Sequence, residues 1–119
     1  MEDKKLTFEE YAKKALEVKL YDNINIPHHI ALLSYLCLCL TEESSELSGK
    51  LKRVIRDKNC IISDKERESF LKELGDVQWG VVAIMDWFGF SWEELSNTNL
   101  EKIHGRIERG TLQGSGDER

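Results

Sequence analysis

A chain of 119 residues, 40% hydrophobic and 33% charged, has the length of one domain and enough apolar material for a core, which excludes global disorder. One proline and eight glycines are too few for the many turns of an all-β fold. A net charge of −5 without a basic stripe excludes a nucleic-acid polymer as partner; it suits a partner that arrives with metal cations, or no charged partner at all. A domain this small buries a limited share of its surface, so self-association is expected. Cys37, Cys39 and Cys60 form an odd set with no Cys-x-x-Cys spacing, which speaks against a disulfide scaffold or a structural zinc site. Cys37 and Cys39, inside an apolar run, read as small buried hydrophobes. Met1 to Lys5 do not lead into a signal-peptide apolar region, and the longest apolar stretch, Ile30 to Leu40, is broken by Ser34 and too short for a bilayer. The expectation is a soluble cytoplasmic protein with no membrane partner.

Thr7 with Glu10 three residues later is a capping box, and Phe8, Tyr11, Ala12, Ala15 and Leu16 follow it at helical spacing. This first helix fades at the turn residues Tyr21-Asp22-Asn23. Pro27 suits the first turn of a second helix running from about His28 to Arg56, long enough to allow a kink, and broken by Asp57-Lys58-Asn59. Ser63 and Glu66 form a second capping box and open a third helix that ends at Gly89, with Phe70, Leu71, Leu74, Val77, Val81, Met85 and Phe88 as its apolar positions. Ser91 and Glu94 form a third box. The last helix it opens is subject to interruption at Asn97-Thr98-Asn99 and ends at Gly110. The predicted fold is all-α, an oligomeric bundle of four to five helices: one domain over 1–110, then a flexible tail over 111–119 with three glycines counted from Gly110 and no apolar face.

Two acidic pairs carry the chemistry. On the second helix, Leu36, Leu47, Leu51 and Val54 fall within about 40° of Leu40 and define a core face. Glu43 lies about 60° from that centre, at the edge of the stripe, and Glu46 about 60° further round. On the third helix Glu73 lies about 100° from Leu74 and Asp76 about 160°, with Gly80, Ala83 and Trp87 continuing the stripe. Residues three apart share a helix face, so antiparallel packing lets Glu43, Glu46, Glu73 and Asp76 face one another. Four like charges so close repel by several kcal/mol unless a cation neutralises them. Ligands that are all oxygen select Mg²⁺ or Mn²⁺ over zinc, and Mg²⁺ completes its octahedron with water and substrate phosphate. Small Gly80 and Ala83 read as room beside the acids. The plain alternative is a pair of solvated acidic faces.

Glu42-Glu43-Ser44-Ser45-Glu46-Leu47, followed downstream by Glu73-Leu74-Gly75-Asp76, resembles the Glu-x-x-Glu and Glu-x-x-Asp signature of the MazG-like nucleoside triphosphate pyrophosphohydrolases. Asn99-x-x-Lys102-x-x-x-Arg106, with Arg109-Gly110 after it, is similar to the same family, and the likeness spans roughly Tyr35 to Gly110. The resemblance implies a helical fold assembled as a homodimer or homotetramer. It implies Mg²⁺ held by Glu43, Glu46, Glu73 and Asp76, and cleavage of a nucleotide substrate between its α- and β-phosphates to a monophosphate and pyrophosphate. Glu42 would support the ligands from behind or act as a base itself. Asn99, Lys102 and Arg106 would contact the triphosphate, and their i, i+3, i+7 spacing independently puts two cations and an amide on one helix face. Either Glu43 or Glu46 would serve as general base, taking a proton from water. The chain departs from many relatives at Thr41, where they carry glycine, and at Lys50 and Lys52, where they have tryptophan or lysine soon after the first motif.

Trp79, Trp87, His28, His29 and Tyr35 are the aromatic candidates for stacking a base, with core or interface roles as their ordinary alternative. Two rival readings have distinct signatures. A ferritin-like metal oxidase needs two Glu-x-x-His motifs, and only Glu101-Lys102-Ile103-His104 fits. A non-enzymatic acidic helical interaction module would leave the carboxylates solvated and use Trp79, Trp87 and Trp92 as its interface.

Overall fold

The computed structural model describes residues 3–18 and 29–119. These form four helices and, among the described residues, no strand: α1 (Phe8–Ala15), α2 (His29–Asp57), α3 (Asp64–Phe88) and α4 (Trp92–Glu108). The all-α expectation is met. The expected turn at Tyr21-Asp22-Asn23 and helix start at Pro27-His28 lie outside the described residues. None of the helices is long and apolar enough to cross a membrane. The chain divides into two units, Met1–Phe88 and Gly89–Arg119.

All three capping boxes form. The Thr7 hydroxyl accepts from the Glu10 N–H at 3.1 Å while the Glu10 carboxylate accepts from the Thr7 N–H at 2.7 Å, which holds the Glu10 carboxyl below the usual range. Ser63 with Glu66 and Ser91 with Glu94 repeat the pattern. The long α2 is continuous over about 43 Å. Ser34, Thr41, Ser44, Ser45 and Ser48 each donate to the carbonyl one turn back, so its many hydroxyls are satisfied without leaving the helix. It stops where Asn59 and Cys60 take left-handed φ values of 52° and 60°. Lys58 then pairs with Glu66, tying the short connection to the start of α3.

That connection makes α2 and α3 an antiparallel hairpin with a readable register. Lys50 meets Ser69 and Glu73, Glu43 meets Asp76, Leu40 meets Gly80, Leu36 packs with Ala83, and His29 stacks on Trp87. Each step back along α2 is thus matched by a step forward along α3. Leu36 and Ala83 are fully buried, with Leu32, Tyr35, Trp79, Ile84 and Trp87 around them. A Cβ on Gly80 would lie 3.2–3.4 Å from the Leu40 side chain and Cα, so the missing side chain lets the two helices approach. Gly80 and Ala83 are therefore filled contact positions, which corrects their reading as open space beside the acids.

The core face of α3 also needs correction. Leu71 is 70% exposed and Leu74 51%, and Leu51 of α2 is exposed as well. The seam runs instead through Gly80, Ala83 and Trp87 on α3 and through Leu36 and Val54 on α2. Apolar periodicity marks every side of a helix that can be covered, whereas one hairpin partner covers only one of them. Cys37 is exposed and Cys39 half-buried, against the expectation that both are buried: Cys37 lies about 100° from the middle of that seam and Cys39 about 60°, on its flank.

The short α1 docks on α3: the Trp79 indole N–H donates to the Ala15 carbonyl at 2.9 Å. One turn earlier on the same face of α1, burial raises the phenol pKa of half-buried Tyr11, and the Asp76 charge raises it further.

The second unit begins at Gly89, whose φ of 74° ends α3. Its helix α4 runs unbroken through Asn97-Thr98-Asn99, so the expected interruption is absent: those residues lie on exposed faces, where tolerable propensity suffices. It closes in a Schellman turn. Gly110 has φ 67°, the Thr111 N–H donates to the Arg106 carbonyl at 2.8 Å, and the Gly110 N–H donates to that of Ile107 at 3.1 Å. Residues 111–119 carry no apolar face and fold back on the end of α4, where the Arg106 guanidinium donates to the Gly116 carbonyl at 3.1 Å and that of Arg109 to the Arg119 carbonyl at 2.6 Å, while Arg119 donates to the carbonyls of Thr111, Leu112 and Gly116 within the segment.

Candidate functional site

With the seam centred on Leu36 and Val54, Glu43 falls about 20° from its middle and Lys50 about 40°. On α3, Asp76 and Glu73 flank the line of Gly80 and Trp87. Glu43 and Glu73 thus lie at the helix contact itself, rather than the margin that the sequence pattern assigned to Glu43, with Asp76 and Glu46 exposed beside them. An apolar layer of Leu36, Leu40, Gly80 and Ala83 lies on one side. On the other, Val54 and Phe70 line a small cavity with Lys50, Ser69 and Glu66.

One carboxylate oxygen each from Glu43, Glu73 and Asp76 lies within 4.8 Å of the others. Burial raises the pKa of Glu43, and the charges of Asp76, Glu46, Glu42 and Glu73 raise it further. Glu46 stands beside Glu73, whose charge is the main cause of its own raised pKa, with Glu42 adding to it. Glu42 itself is exposed and acts on the cluster through its charge. The structure therefore brings all four predicted acids together, with Glu42 at their edge.

Glu73 shows what the cluster needs. Its side chain is only 13% exposed, and the Lys50 ammonium pairs with Oε1 at 3.2 Å while donating to the Ser69 hydroxyl at 2.5 Å. Its other oxygen, Oε2, is buried with no hydrogen-bond partner. A buried carboxylate oxygen facing other carboxylates without a donor is costly, and a cation removes that cost. The donor set is oxygen only, which fits a hard divalent ion.

Lys50 and Tyr11 were missed as parts of this site. Lys50 had a signal: it follows Glu46 by four and Glu43 by seven residues, on the same face. Tyr11 had none, since only the docking of α1 brings it to Asp76.

Asn99, Lys102 and Arg106 belong to the second unit. Asn99 and Lys102 line a groove of about 480 Å³ with Phe90, Glu94, Leu95 and Thr98. Arg106 lies outside the groove's lining; it and Lys102 converge on Asp117, at 3.5 Å for the Arg106 Nη2. The Lys102 ammonium is the largest cause holding the Asp117 carboxyl below its usual range. The indoles of Trp79 and Trp87 are engaged inside the first unit. Trp87 donates to the His29 carbonyl at 3.1 Å and stacks on the His29 ring at 4.5 Å. His28 lies outside the described residues.

The family model of the MazG nucleotide pyrophosphohydrolase domain matches residues 33–110. Among curated proteins, the chain is 33% identical over 109 residues to the Gene 37 protein of Mycobacterium phage L5, an alignment covering 92% of this chain and 96% of that protein. No solved structure matches.

Proposed function

The chain belongs to the MazG nucleotide pyrophosphohydrolase domain family, and from that premise we propose that it cleaves a nucleoside triphosphate between the α- and β-phosphates, releasing a monophosphate and pyrophosphate. Members of the family generally hydrolyse nucleoside triphosphates and typically depend on a divalent metal. The observation that carries the reading is the convergence of Glu43, Glu73 and Asp76 in the helix seam, with a buried Glu73 oxygen left without a donor.

Glu43, Glu73 and Asp76, with Glu46 beside them, would hold Mg²⁺ or Mn²⁺. When bound, such an ion neutralises phosphate charge and makes water more acidic. Glu46 accepts the proton of the attacking water: it lies next to the trio rather than within it, and its proton affinity is raised by Glu73. Lys50 holds Glu73 in place through Oε1 and leaves Oε2 for the cation. Asn99, Lys102 and Arg106 are the proposed contacts to the triphosphate, where two cations offset charge on the departing pyrophosphate. The exposed leucines of the first unit support a homo-oligomer.

The alternative of a solvated acidic module loses support on two counts. Of the four acids, Glu43 and Glu73 lie at the seam, with only Glu46 and Asp76 exposed, and the Trp79 and Trp87 indole N–H groups are spent inside the fold. Incubating the protein with a nucleotide panel and Mg²⁺, then identifying products, tests the proposal. Monophosphate plus pyrophosphate is expected. Release of orthophosphate, or no reaction together with no calorimetric Mg²⁺ or Mn²⁺ binding, overturns it.

A further inference from the structure

The cations that the proposed function assigns to substrate phosphate already hold an anion from their own chain. Lys102 pairs with Asp117 Oδ1, and Arg106 Nη2 reaches the same oxygen at 3.5 Å while donating to the Gly116 carbonyl at 3.1 Å. The segment that delivers this carboxylate is a built loop. Gly114 and Gly116 turn it with φ values of 114° and 87°, a region that side chains rarely adopt. Arg119 closes it with bonds to Thr111, Leu112 and Gly116, and the Arg119 carbonyl accepts from Arg109 at 2.6 Å.

The two partners are unequally anchored. Arg106 is only 12% exposed and Lys102 38%, whereas Asp117 is 79% exposed. The cations are set into the unit; the acid rests on its surface. One carboxylate oxygen also serves both cations, and Arg106 Nε remains buried without an acceptor. A phosphate or pyrophosphate offers several oxygens in a geometry that a guanidinium fork can match, so it satisfies donors that Asp117 leaves open.

We propose that the 111–119 loop is an intramolecular competitor: Asp117 occupies the Lys102–Arg106 anion subsite and must be displaced before a phosphate group enters. This rests on the reading of Lys102 and Arg106 as phosphate contacts. An ion pair this exposed is weak, so the loop tunes affinity by a small factor instead of closing the site. A competitor that occupies the subsite part of the time multiplies apparent affinity by the free fraction and leaves the chemical step alone.

The test uses the full chain, Asp117→Asn, Lys102→Met and the double variant, each titrated with Mg²⁺-pyrophosphate by calorimetry and assayed for KM and kcat. Asp117→Asn is expected to bind pyrophosphate about two- to fivefold more tightly and to lower KM equally with kcat unchanged. In the Lys102→Met background that gain should shrink or vanish. A merely structural loop contact would not tighten binding on being broken. If Lys102→Met weakens pyrophosphate binding but Asp117→Asn changes nothing, the competition is overturned and the phosphate contact stands. If neither variant alters binding, both fall. If Asp117→Asn tightens pyrophosphate binding in a protein that hydrolyses no nucleotide, the competitor stands and the proposed reaction falls.

Discussion

Glu43 carries its charge inside the contact between α2 and α3, and its raised pKa records that cost. Glu46 is raised by the neighbouring Glu73. Both native pKa values lie above those of the unfolded chain, so the native state holds protons that the unfolded state has released. The stability from this protonation is present at low pH and is lost as pH rises from the ordinary glutamate range through the raised values. Metal-free protein in chelator should therefore melt at progressively lower temperature across that window. Glu10, Asp57, Glu66 and Asp117 are shifted downward and act below it, with the opposite sign. Saturating Mg²⁺ at neutral pH should recover the loss, by about 2.7 kcal/mol at a hundred times its Kd. Thermal melts against pH, with and without Mg²⁺, check both signs. For catalysis, Asp76→Asn and Glu46→Gln should lower kcat by about a hundredfold to ten-thousandfold with the helical circular dichroism intact. An active variant of either would remove the site.

At the scale of elements, the hairpin register decides which carboxylates meet. That register depends on Gly80, where the backbone of α3 comes close to Leu40. Alanine is the better helix former by about 1 kcal/mol, yet its methyl would press on Leu40 Cα as well as on a movable side chain. The steric cost of about 1–3 kcal/mol should win. Gly80→Ala is thus expected to lower the denaturant midpoint by a net loss of about 1 kcal/mol and to weaken Mg²⁺ binding by spreading the acid layer one turn away. Unchanged metal affinity in calorimetry would detach the acid layer from the helix approach. Trp79 plays a matching role for α1, whose last turn it holds to α3 beside Tyr11 and Asp76.

For the whole molecule, exposed Leu51, Ile55, Leu71 and Leu74 stand out on the hairpin's outer surfaces. Under the oligomer proposal, these apolar residues are the ones a second copy would cover. Sedimentation should give a dimer or larger assembly at micromolar concentration, and Leu71→Glu with Leu74→Glu should shift it toward monomer without loss of helix. A wild-type monomer would contradict the oligomer proposal and leave the acid cluster untouched, since Glu43, Glu46, Glu73 and Asp76 come from one hairpin.

The helices, their capping boxes, their glycine stops and the two acidic pairs were legible in the residues, because each rests on contacts between positions three or four apart. The candidate site residues on α2 and α3 were legible for the same reason: their spacing puts each pair on one helix face. The placement of those faces was decided only by tertiary packing. Which apolar stripe closes the seam, whether Glu43 sits at its margin or middle, and whether Gly80 is a gap or a contact all depend on the partner helix. So do the links from Lys50 to Glu73, from Tyr11 to Asp76 and from Asp117 to Lys102, each made between residues that local periodicity does not connect. Periodicity states which residues share a side; only the neighbour that arrives there determines what that side becomes.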